Sequence, residues 1–177
     1  MKKFFSIISL ILTFFIIYFL QANFFTWFNI AGVKPNLFVL LALFIGLFIG
    51  KKLGLAFGLI IGIYLDLLIG KSIGISGIML GIVGLLGEYL DKNFSKDSRV
   101  TMILMVIGAT IIYELGYYIF QIFKWNIAIE FIPFIKILLI ETIFNVVLVI
   151  ILYPLIQKAG YYLENLFKNK SVLTRYF

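Results

Sequence analysis

Cysteine and histidine are both missing from the 177 residues of this chain. Their absence removes disulfides, thiolate zinc sites, Cys–His nucleophiles and imidazole acid–base chemistry. Proline occurs only three times, and charged residues make up 13%, about half of what a soluble domain carries. Acids are scarcest, with 8 Asp and Glu against 15 Lys and Arg. Motifs of chemistry are missing too: no phosphate-cradling glycine loop, no metal-ligand cluster and no activated-serine signature. Lys71-Ser72 follow Gly70, but without the upstream spacing of a phosphate loop. Neither an enzyme nor a metal or other cofactor is expected.

What is present is apolar. Hydrophobic residues make up 63% and the mean hydropathy is +1.15, more apolar surface than a water-soluble chain of this length can hide. Six apolar runs stand out, at 4–20, 35–50, 53–70, 72–90, 100–123 and 131–157. A crossing helix takes about 20 residues, so the runs predict an all-α, polytopic integral membrane protein with about six transmembrane helices in one domain, 1–177. Lys51-Lys52 alone separate the second and third runs, which reads as a tight helical hairpin. Residues 21–34 read as a polar connection and 91–99 as the clearest soluble loop. The first run is long for a signal peptide, and Leu20-Gln21-Ala22 is a poor cleavage site, so it is expected to be retained.

The net charge of +7 is not spread as a nucleic-acid surface, because the basic residues sit in short clusters between apolar runs. In a six-span layout one side holds Lys2, Lys3, Lys51, Lys52, Lys92, Lys96, Arg99, Lys158, Lys168, Lys170 and Arg175, and the other only Lys34, Lys71, Lys124 and Lys136. The positive-inside bias places both termini in the cytoplasm and brings the clusters against anionic lipid. Trp27, Tyr89, Tyr113, Trp125 and Tyr153 fall near span ends, as interfacial aromatics do.

Glycine recurs every fourth residue through Gly46, Gly50, Gly54, Gly58 and Gly62, with Asp66 in the next slot and Gly70 and Gly74 beyond. Glycine at i and i+4 leaves a groove where another backbone approaches closely. Gly54, Gly58 and Gly62 on the third run, and Gly77, Gly81 and Gly84 on the fourth, predict that these two helices pack on each other; a dimer or a partner helix is the alternative. Acids inside the bilayer are costly and ask for a reason. Asp66 reads either as a cap for the next helix or partner of Lys71, or as a buried acid that bonds a neighbouring helix or subunit. Glu114 lies mid-way along the fifth run. Glu141 and Asn145, four apart, share a helix face. Asp66, Glu114, Glu141 and Asn145 are thus candidates for interhelical bonding or partner contact, with Lys136 available to neutralise one acid. No periodic set of acids continues across the membrane, which argues against a proton relay.

The order of these residues resembles the rod shape-determining MreD family. The resemblance rests on Lys34-Pro35-Asn36-Leu37, on Gly54-x3-Gly58-x3-Gly62-x3-Asp66-Leu67-Leu68-x-Gly70-x3-Gly74, on Tyr113-Glu114-Leu115, and on Glu141-x3-Asn145 leading to Tyr153-Pro154. It covers roughly 33–158. It implies a non-enzymatic subunit of the bacterial inner membrane that serves cell elongation. Such a subunit works beside a bitopic MreC-like protein and, less directly, an MreB-like filament, a RodA-like glycosyltransferase and a class B penicillin-binding protein. It also implies a likeness to the six-helix substrate-binding components of vitamin importers, so a transporter component is the rival reading. Carried over, Pro35, Asn36, Asp66, Gly70, Gly74 and Asn145 are the positions that match the family pattern, and Pro35, Asn36, Gly54, Gly58, Gly62, Gly70 and Gly74 are assigned structural roles. Pro35 suits a helix's first turn and Asn36 a cap on free amides.

Overall fold

The computed structural model describes residues 2–69, 73–125 and 130–167. Gly70, Lys71 and the tail bases Lys168, Lys170 and Arg175 lie outside the described residues, as does the side chain of Trp125. Among the described residues there are six helices and no strand, only an isolated bridge between Ile30 and Val33. They are α1 (Lys2–Phe19, prolonged to Trp27), α2 (Leu37–Ile49), α3 (Lys51–Ile69), α4 (Ile75–Asn93), α5 (Arg99–Trp125) and α6 (Phe131–Phe167). Three stretches are long and apolar enough to cross a membrane: Ser6–Trp27, Arg99–Lys124 and Phe131–Phe167.

The core of the fold is a glycine seam. Gly50, at φ +117°, breaks the chain between α2 and α3 and reverses its direction, a conformation that L side chains rarely adopt. Gly46 and Gly54 meet across this break, and both abut Gly84 on α4. Further along α3, a Cβ on Gly58 would overlap the backbone at Leu80–Gly81, and one on Gly62 the backbone of Ser76 and Gly77. The pairs 54–84, 58–81 and 62–77 run in opposite senses, so α3 and α4 are antiparallel and in near-backbone contact. Gly87 meets Leu43 and Leu47 in the same way, laying α2 over α4. The expected seam is therefore internal, filled by the protein's own helices.

Around it, Val39, Leu43, Leu47, Phe48, Leu80, Val83, Met102, Val106 and Val149 form the fully enclosed interior. Large apolar side chains also cover the outside: Ile60, Leu104, Phe123 and Ile132 are each more than 60% exposed. That pattern suits lipid as the surrounding solvent.

Three boundaries differ from the sequence reading. The connection drawn at 21–34 is half helix, because α1 continues through a π-helical turn at Leu20–Phe24 and on to Trp27. Phe24 and Phe25 prolong its apolar surface, and one residue inserted per π turn swings Gln21 toward the bundle. The loop drawn at 91–99 shrinks to Phe94–Ser98, and its Lys96 is buried rather than solvated. Finally, α6 runs through Pro154 to Phe167. At 1.5 Å per residue its 37 residues reach about 55 Å, nearly twice a hydrocarbon core of about 30 Å.

Candidate functional site

Helix α2 is the element that makes a site necessary. Its 13 residues span about 20 Å, less than a hydrocarbon core of about 30 Å, so it begins inside the bundle, and its first turn is buried: Leu37 to Leu40 are each at most 7% exposed. The first amides of a helix have no partner within it, and in lipid each orphan costs several kcal/mol. Side chains from three helices satisfy them. Asn36 is the N-cap, accepting from Val39 N at 3.3 Å. Asn145 of α6 accepts from Asn36 N at 2.9 Å. Gln21 of α1 accepts from Leu37 N at 3.3 Å and donates to Pro35 O at 2.6 Å. Asn145 in turn donates to Thr110 of α5 at 3.1 Å, and both are fully enclosed. Pro35 stands one residue before the cap, outside the helix rather than in its first turn; its missing N–H is one fewer donor to satisfy.

Asp66 does the same for α4. Its Oδ2 accepts from Gly74 N at 2.8 Å and Ser76 N at 3.1 Å, and the residue is 4% exposed. Gly74, at φ +100°, is the turn residue that allows it. The cap half of the Asp66 reading is thus realised in the geometry.

Glu141 and Glu114 face each other between α6 and α5. The two carboxyls are close enough to interact, and the Asn36 side chain approaches Glu141. Glu141 is 6% exposed, yet its Oε1 has no partner; the same holds for Thr142 Oγ1. Lys136 is exposed and, among the described residues, forms no ion pair with either acid. Tyr113, expected at an interface, is instead buried, with Ser76 nearby. Glu141, Tyr113 and Ser76, though not Glu114, Thr142 or Lys136, line a cavity of about 360 Å³ above the start of α2, with Gly32–Asn36 along one side.

A second hollow is wholly different. It is an apolar groove of about 760 Å³ between α1, α2 and α6, lined from Ser6 and Ser9 to Phe24 and Phe25 on α1. Helix α1 touches the bundle mainly through Phe14, whose ring meets Phe38 and Tyr64 at 5.7 Å, and through Phe25 against Phe144 at 6.0 Å. Elsewhere it stands away, and only 6% of its apolar stretch is buried.

With this geometry in view, the comparison with family models is decisive. The model for rod shape-determining protein MreD matches residues 1–159. The chain belongs to the MreD family. A search of curated proteins and of solved structures returns no match. As an MreD protein it is a membrane protein with a role in rod-shape determination, and its helices suit transmembrane segments.

Two clusters of this MreD chain escaped the sequence reading. Glu88 accepts from Lys51 N at the α2–α3 break and pairs with Lys92 at 3.0 Å. Lys96 is 9% exposed and bonded to Asp91 at 2.9 Å and Glu164 at 2.7 Å, with the Phe48 and Tyr161 rings within 6 Å. Next to it Tyr153 donates to Asp97 O and Gln157 to Lys96 O, both at 2.6 Å. Charges beside apolar runs read as solvated ends, so only their distant partners reveal them. Gln21 and Thr110 likewise gave no signal, being single polar residues without spacing.

Proposed function

We propose that this chain is a non-enzymatic scaffold of the cell-elongation complex that binds the transmembrane helix of an MreC-like bitopic protein. The proposal includes six crossings, an inner-membrane location and both termini in the cytoplasm, as the lysine and arginine bias favours. Through that partner it acts on peptidoglycan synthesis alongside an MreB-like filament, a RodA-like glycosyltransferase and a class B penicillin-binding protein.

The groove between α1, α2 and α6 supports this most directly. From Ser6 to Phe25 on α1 it extends about 29 Å, the depth of a hydrocarbon core, so one bilayer-crossing helix fills it end to end. Ser9 and Ala159 keep its walls low at one end, where small residues favour close helix approach. The glycine seam is already occupied, so register on the partner comes from this groove rather than from Gly54, Gly58 and Gly62.

Affinity purification of the tagged chain from native membranes tests the reading. The expected result is co-elution of an MreC-like protein, lost when Ala159 and Ser9 are both replaced by Trp. Co-elution of transporter ATPase subunits instead would overturn it. The polar cavity favours that second reading, a substrate-binding component of a vitamin-type importer, which predicts uptake of a small molecule dependent on this chain.

A further inference from the structure

The cavity and the groove share no lining residue, and the cavity carries a chemistry that partner docking does not use. We propose that it is a binding site for a small primary ammonium, recognised by the carboxyl of Glu141.

Four observations converge. The space, about 360 Å³, lies at the small end of the range for ligand pockets, about 300–1,000 Å³. Polar side chains gather on its otherwise apolar wall: Gln21, Lys34, Asn36, Ser76, Tyr113 and Glu141 all line it. Glu141 is enclosed in the protein but keeps one oxygen without a hydrogen-bond partner. Buried acceptors are normally satisfied, and each exception asks for an explanation. The carboxyl torsion of a glutamate is broad, so a small rotation presents that oxygen to a donor in the cavity.

The sign of the ligand follows from the neighbours. Glu141 is the one acid that lines the cavity, and a second, Glu114, lies beside it outside the lining. The one base on the wall, Lys34, donates its Nζ to Thr26 Oγ1 at 2.8 Å and, among the described residues, forms no ion pair with either carboxyl. A metal ion is not favoured, because among the described residues no group of three acidic, His or Cys side chains converges. A compact –NH₃⁺ supplies three donors for Glu141 Oε1, the Tyr113 hydroxyl and the Ser76 hydroxyl. Two sources carry that group: a free amine, and the ethanolamine headgroup of a phospholipid, whose phosphate would then lie toward Lys34.

The full chain, purified in detergent, is titrated calorimetrically with ethanolamine and with ethylene glycol, its neutral counterpart. In parallel the chain is reconstituted in phosphatidylcholine discs with and without phosphatidylethanolamine, and retained lipid is read by native mass spectrometry. A free-amine site binds ethanolamine but not ethylene glycol. A headgroup site retains phosphatidylethanolamine selectively. In either case Glu141→Gln lowers the affinity about tenfold or more, as loss of a charge-assisted bond does. Ile137→Trp, at the half-exposed wall, blocks the site with the carboxyl intact and decides the matter should the Glu141 variant not fold. Thr142→Val, which removes a buried hydroxyl that does not line the cavity, leaves binding unchanged. No binding of either probe by the parent chain, or equal binding by Glu141→Gln and Ile137→Trp, overturns the proposal.

Discussion

At the scale of single residues, the polar side chains of this protein divide by what they cap. Asp66 and Asn145 each hold backbone amides that would otherwise be orphaned inside the bundle. Asn145→Leu removes the acceptor for Asn36 N and the donor to Thr110, at a cost of about 2–4 kcal/mol, read as a lowered thermal midpoint in detergent. Asp66→Leu strands two amides at the start of α4 and is expected to cost as much and to impair rod-shape complementation. Asp66→Asn keeps one carbonyl acceptor and recovers most of both. Equal behaviour of the leucine and asparagine variants would show that the charge, not the cap, is what matters. The spacing of Glu141 and Asn145 was readable as one face because i and i+4 coincide on a helix. Their partners were not, because Asn36 lies 109 positions from Asn145 and nothing local encodes that pairing.

At the scale of elements, the glycine periodicity was the most legible feature, since it states which helix faces approach closely. Gly62→Val places a branched side chain against the backbone of Ser76 and Gly77; helix separation or misfolding is expected, seen as loss of a monodisperse species on gel filtration. Gly108 has open space at the position of a Cβ, so Gly108→Ala leaves the fold intact and raises its stability by up to about 1 kcal/mol, the helix-propensity gain. If both variants behave alike, the seam is not the organising contact. Helix ends were harder to read. The last helix outlasts the apolar run that ends at 157, because Tyr153, Gln157 and Tyr161 on either side of Pro154 bond the loop that carries the Asp91–Lys96–Glu164 cluster, a tertiary reward invisible to hydropathy. Lys96→Ala frees that loop from α6 and is expected to raise hydrogen exchange across Phe94–Ser98 at least tenfold; unchanged exchange would assign the fastening to the tyrosines alone.

At the scale of the whole molecule, two hollows of opposite character sit on either side of one short helix. Beginning α2 part-way through the bundle leaves polar space above it, and letting α1 stand away leaves apolar space beside it. Family membership gives the role in rod shape; the apolar groove is where we place the partner. Site-specific photocrosslinking in cells tests that placement most directly, with the probe at Leu155, which lines the groove and is 63% exposed, or at Leu104, equally exposed at 62% on α5. The account predicts a crosslink to the MreC-like protein from Leu155 and none from Leu104. A crosslink from Leu104 alone, or from both equally, would contradict it.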